Sequence, residues 1–162
     1  MSDIDLCHSR NNSLTKGQKM FSVLHVIIGI LFIIMFVATG LYLKTLFPES
    51  NENYDAVRMM YRSSHIYLLL AALVNISFAI YFISFHNKIA RNIQRIGSVL
   101  VLIAPIALLV AFIYEPVNQS FDRDITFYGI LFILTGCVLH GVAKYIEIRL
   151  NNNAENNTSQ QK

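Results

Sequence analysis

The chain has 162 residues, of which 54% are apolar and only 14% are charged, and its formal net charge is +3. Because an average soluble domain is about 25% charged, this composition excludes an ordinary soluble enzyme domain. We therefore expect a protein that is surrounded by a lipid bilayer and has no nucleic-acid partner.

Four uncharged runs follow one another along the chain, at residues 21–43, 63–87, 96–114 and 125–143. At about 1.5 Å of rise per residue, each run is long enough to cross the hydrocarbon core of a bilayer, which is about 30 Å thick. The joints between the runs are short, which is typical of helices that return beside their predecessors. The sequence predicts an all-α integral membrane protein folded as an antiparallel four-helix bundle.

The polar parts of the chain set the expected boundaries of this domain. Residues 1–19 form a polar tail, residues 20–150 the transmembrane domain, and residues 151–162 a low-complexity tail that we expect to be disordered. The second helix is expected to begin at Asp55, because no helix breaker separates Asp55 from Arg62. Pro105 is expected to kink the third helix rather than to end it.

Basic residues are divided unevenly between the two sides that the four spans define. The side that holds both termini has nine of the 13: Arg10, Lys16, Lys19, Lys88, Arg91, Arg95, Lys144, Arg149 and Lys162. By the positive-inside rule this side is cytoplasmic. The sequence thus predicts a multi-pass inner-membrane protein with both termini in the cytoplasm.

Two histidines within the spans are the first candidate site, because polar groups inside a membrane are costly and often functional. His25 lies six residues from Lys19 and His140 lies four residues from Lys144, so both are expected at a similar depth on the cytoplasmic side. Gly29 and Gly136 lie one turn deeper and on the same helix faces as these histidines. If the first and fourth helices are neighbours, this arrangement suits a haem b whose metal ligands are His25 and His140.

The opening of the first helix, with Leu24-His25-Val26 followed by Gly29 and then Ala38-Thr39-Gly40, resembles the small four-helix membrane cytochromes b. The resemblance implies haem b held by histidines of different helices, and electron exchange with quinone. It covers the first helix and the ends of the second and fourth. Such cytochromes commonly carry two haems, whereas the outer half of this chain offers only His65, so the sequence predicts one site.

Two other interpretations stay open at this stage. The histidines can be hydrogen-bonded interior groups, with glycines that only let the helices approach one another. The protein can then be a non-catalytic membrane subunit or accessory protein of a larger complex. For that function the third helix offers a docking face with small residues at Ala104, Ala107 and Ala111.

A second candidate cluster lies on the outer side, at the start of the second helix. Arg58, Arg62 and His65 follow each other at spacings of four and three residues, which places them on one helix face. Such a cluster can hold an anionic head group, a haem propionate or a quinone carbonyl. Alternatively, the arginines extend towards water and pair with Glu49, Glu52 or Asp55. Deeper in the same helix, Asn75 is expected to face the bundle and to form a hydrogen bond across it.

Overall fold

The computed structural model describes residues 16–47, 55–81, 85, 87–119 and 122–159. In these residues the protein is all-α, with helices α1 (Lys16–Leu46), α2 (Asp55–Ile80), α3 (Lys88–Val117) and α4 (Asp124–Ser159). All four are long and apolar enough to cross a membrane. The all-α class predicted from the uncharged runs is confirmed.

The helices agree with the sequence predictions at two points and differ from them at two. Helix α2 begins at Asp55, as the absence of a breaker predicted, and α3 continues through Pro105. Helix α1 begins at Lys16, inside the expected polar tail, while residues 1–15 lie outside the described part. Helix α4 extends past Leu150 to Ser159, because residues 151–159 contain no proline or glycine to stop it.

Helices α1 and α2 pack side by side along their length. Ser22 donates a hydrogen bond to the Ala79 carbonyl at 3.1 Å, and Thr39 lies 2.9 Å from the His65 ring at the other end. The amino-terminal part of α1 thus lies beside the carboxy-terminal part of α2, and the carboxy-terminal part of α1 lies beside the start of α2. The core that joins these helices to α3 and α4 consists of apolar side chains, including Phe32, Leu68, Ala104, Leu108, Phe112 and Ile133.

Helices α1 and α4 are not direct neighbours in the described residues, since no Cα atom of one lies within 8 Å of the other. Contacts join α1 to α2, α2 to α3, and α3 to α4, with smaller contacts of α1 with α3 and of α2 with α4. This corrects the expectation that α1 and α4 pack directly. The reason is that α2 and α3 meet in the middle, so that α1 and α4 lie on opposite flanks of that contact.

The small residues of α3 point into the protein rather than outwards. Ala104 and Ala111 are fully buried, and Ala107 is half-buried. The three alanines named for a docking face of an accessory subunit are therefore not exposed. The exposed surface of α3 instead carries large apolar side chains such as Ile103, Ile106 and Val110, which suit contact with lipid.

Candidate functional site

His25 is fully buried on α1 and is oriented by Asn75 of α2. Its Nδ1 atom lies 2.8 Å from the Asn75 Oδ1 atom. The amide nitrogen of Asn75 donates to the carbonyl oxygens of Ala71, at 2.8 Å, and of Val101, at 3.2 Å. The Oδ1 atom must therefore accept a hydrogen bond from the His25 Nδ1–H, and the lone pair of a neutral His25 ring lies on Nε2. The predicted hydrogen bond of Asn75 across the helices is confirmed.

This arrangement around His25 is the one that metal-binding histidines commonly have. Such a histidine donates its second ring N–H to an oxygen, which fixes the tautomer and the ring orientation. Here Asn75 supplies that oxygen, and it is itself held by two backbone carbonyls on different helices. These hydrogen bonds fix the orientation of the Asn75 amide. The direction of the His25 lone pair is therefore set by residues of α2 and α3.

His140 lies on α4 and contacts both α2 and α3. Its Nε2 atom is 3.1 Å from the Ser98 hydroxyl of α3. Its ring stacks on Phe78 of α2 with a centroid distance of 4.2 Å and an interplanar angle of 23°. The Phe78 ring also lies 5.9 Å from the His25 ring. The two predicted histidines are therefore brought to the same aromatic side chain, although no Cα atoms of α1 and α4 lie within 8 Å of each other.

A cavity of about 430 Å³ lies beside His140 and Phe78. Its walls include His140, Phe78, Cys137 and Gly141, and Lys144 and Gln94 supply polar groups. His25 and His140 are the kind of nitrogen donors that a bis-histidine haem would need. A ligand between the imidazoles has to displace the Phe78 ring, because that ring contacts both of them.

The two glycines expected beside a haem edge lie instead in helix contacts. A Cβ atom at Gly29 would be 2.5 Å from Ile76 of α2, and one at Gly136 would be 2.9 Å from the Gly97 carbonyl oxygen of α3. Both positions therefore allow close approach of neighbouring backbones. These contacts follow from α1 packing on α2 and α4 packing on α3, and a place for Gly29 and Gly136 beside a haem stays a prediction.

The outer cluster predicted on α2 does come together. Arg58, Arg62 and His65 line one cavity of about 610 Å³ with Lys44 of α1. Thr39 donates its hydroxyl hydrogen to the carbonyl oxygens of Met35 and Phe36, at 2.9 and 3.0 Å. Its oxygen therefore accepts from His65 Nδ1, and the lone pair of the His65 ring lies on Nε2. Glu49 and Glu52, named as alternative partners of the arginines, lie outside the described residues.

A polar network that the sequence reasoning missed joins three helices at the same end of the protein. Glu115, near the end of α3, is 1% exposed and accepts hydrogen bonds from the Thr126 backbone N–H at 2.7 Å and hydroxyl at 2.6 Å. Arg123 lies 3.4 Å from the same carboxylate and donates to the hydroxyls of Ser63 and Ser64. The one indication of this network in the sequence was Glu115 itself, a glutamate that directly follows an apolar run.

The sequence matches no protein-family model, and no curated protein or solved structure is significantly similar to it. The resemblance of α1 to the membrane cytochromes b therefore stays a prediction.

Glu115→Ala is expected to lower the free energy of unfolding by roughly 3 kcal/mol, because it removes the counter-charge of the partly buried Arg123. The measurement is equilibrium unfolding in mixed micelles with rising SDS. Asp122→Ala is the matched control, since that carboxylate is exposed in the same joint, and it should change stability by less than about 0.5 kcal/mol. Equal stabilities of the two variants would show that the network contributes nothing.

Proposed function

We propose that the protein is an inner-membrane electron carrier that binds one haem b between His25 and His140. The observation that carries the proposal is the hydrogen bond from His25 to Asn75, because it fixes the direction of the Nε2 lone pair of a buried histidine. Although α1 and α4 are not direct neighbours, both imidazoles lie beside the Phe78 ring of α2, which keeps the two proposed ligands near each other. A bis-histidine haem b supplies one-electron transfer, and membrane quinone is the proposed partner for that electron.

The residues around the histidines have separate roles in this proposal. Asn75 holds His25 with its Nε2 atom directed away from the amide, and Nε2 is the atom that would bind an iron. Ser98 and Phe78 hold the His140 ring and have to give up these contacts when the ring binds a ligand. Phe78 borders the cavity of about 430 Å³ between α2 and α4, which offers space beside its present position.

The proposal is tested by the absorption spectrum of the full-length protein, purified in detergent from haem-replete cells. We expect a Soret band, a sharp α band after reduction with dithionite, and about one haem per chain by pyridine haemochrome. A coloured b-type cytochrome expressed in the same cells controls for haem supply. A colourless protein that also fails to bind added haem would overturn the proposal.

The arrangement of the chain in the membrane is part of the same proposal. The four helices are proposed to cross the inner membrane as an antiparallel bundle, with both termini in the cytoplasm. This orientation rests on the distribution of basic residues. It places the two histidines towards the cytoplasm and the cluster of Arg58, Arg62 and His65 towards the outside.

Cysteine labelling of intact cells checks the orientation. In a chain whose native Cys7 and Cys137 are replaced by serine, Asn118→Cys is expected to react with a membrane-impermeant maleimide, and Asn153→Cys only after the cells are opened. Both positions are exposed to solvent in the described residues, so burial does not affect the comparison. The reverse pattern would invert the orientation.

A further inference from the structure

The carboxy-terminal end of α1 and the start of α2 form a cavity whose residues have no role in the haem proposal. It has a volume of about 610 Å³ and is lined by Lys44, Arg58, Arg62 and His65, with Leu43 and Phe47 as apolar members. Lys44 and Arg62 are exposed, and Arg58 is half-buried. Among the residues whose side chains the structure describes, no carboxylate forms an ion pair with these three cations.

The charges of this cavity favour a phosphate group. Arginine binds phosphate oxygens through paired N–H donors, and lysine adds a point charge. Arg58 and Arg62 are one helical turn apart on α2, and Lys44 reaches the same space from α1. Together they can surround a single anion from two helices.

His65 adds a hydrogen-bond acceptor to this set of donors. Because its Nδ1 atom donates to Thr39, its Nε2 atom is the acceptor. That atom lies beside Gly40, at 3.5 Å from the place where a Cβ would be, and Gly40 also lines the cavity. Phe36 stacks on the imidazole at 4.1 Å and keeps the ring in this plane. A ligand with a hydroxyl group close to its phosphate could donate a hydrogen bond to this Nε2 atom.

The position of the cavity favours a lipid over a soluble anion. Lys44 lies in the last turn of the apolar span of α1, and Arg58 and Arg62 lie in the first turns of the span of α2. Deeper along these helices, large apolar side chains are exposed, among them Val37, Leu41 and Ile66. A phosphate at this height therefore has an apolar surface below it that can contact acyl chains.

We propose that this cavity binds the head group of an anionic phospholipid whose head group carries hydroxyl groups, of the phosphatidylglycerol type. Lys44, Arg58 and Arg62 bind the phosphodiester, and His65 accepts a hydrogen bond from a head-group hydroxyl. The proposal needs the membrane spans but does not depend on haem.

The test is native mass spectrometry of the full-length protein in detergent, titrated with defined lipids. Phosphatidylglycerol should bind at least about tenfold more tightly than phosphatidylcholine. The double substitution Arg58→Gln and Arg62→Gln should abolish this preference, because a tenfold change corresponds to the loss of about one charge-assisted contact. The matched control is Lys88→Gln with Arg95→Gln, which removes the same charge from exposed positions near the other end of the helices and should keep the preference.

Two further arms separate the source of the phosphate and the role of His65. Phosphatidylmethanol has the same charge without head-group hydroxyls, so the wild type should prefer phosphatidylglycerol to it, and His65→Leu should bind the two lipids equally. Equal binding of phosphatidylglycerol and phosphatidylcholine, or equal losses in the two double variants, would overturn the proposal. Competition by glycerol 1-phosphate as effective as the lipid would also overturn it, since the site would then bind a soluble anion.

Discussion

Replacing His25 or His140 by alanine is expected to abolish the spectrum of a six-coordinate, low-spin haem. Each histidine supplies one axial nitrogen in the proposed site, so the loss of either leaves the iron with at most one histidine. The measurement is the reduced-minus-oxidised spectrum of the purified variants, together with their haem content. We expect the α band to disappear in both, even where some five-coordinate haem stays bound.

His86→Ala is the control for this experiment. His86 lies outside the described residues, and the sequence predicts that it lies at the cytoplasmic edge of the second span, two residues before Lys88. Its variant should keep the wild-type spectrum. A low-spin spectrum that persists in His25→Ala or in His140→Ala would show that the replaced residue is not a ligand. Circular dichroism of each variant separates loss of the ligand from loss of the fold.

Several features were predictable because they depend on local sequence. The helical start at Asp55 follows from the absence of a breaker, and the common cavity of Arg58, Arg62 and His65 follows from helical spacing. Asn75 was expected to bond across the helices because an amide is costly in lipid. The structure adds that its partners are His25 and the Val101 carbonyl, which no spacing rule selects.

The choice of helix neighbours was not predictable from the same patterns. Gly29 and Gly136 mark faces that permit close approach, but a glycine does not select which helix approaches it. In the structure Gly29 faces Ile76 of α2 and Gly136 faces Gly97 of α3. The contacts of His140 with Ser98 and Phe78 depend on this choice, so they could not be read from α4 alone.

The network of Glu115 and Arg123 was missed for a different reason. Arg123 lies in a joint, has a positive φ of 53°, and reaches serines that lie some 60 residues earlier in the chain. Neither charge belongs to a periodic pattern, so helical spacing gave no signal. The only local indication was Glu115 itself, a carboxylate at the end of an apolar span where ionised groups are expensive.

The contact between α3 and α4 gives the second prediction with a large effect. Gly136→Ala is expected to lower the free energy of unfolding by about 1–3 kcal/mol, because overpacking forces neighbouring atoms to move. The new Cβ would lie 2.9 Å from the Gly97 carbonyl oxygen and would also meet the Val101 side chain. A backbone carbonyl cannot rotate away as a side chain can, so the two helices have to separate.

Gly141→Ala is the matched control, since it makes the same substitution five residues later in α4. A Cβ at Gly141 has no atom within 4 Å, so the change meets open space. It should leave stability unchanged or raise it by up to about 1 kcal/mol, because alanine favours the helix over glycine. Unfolding in mixed micelles with SDS measures both variants under one condition. If Gly136→Ala proves as stable as Gly141→Ala, α3 and α4 do not approach each other at Gly97 as closely as the structure describes. Gly136 would then not be required for the packing of these two helices.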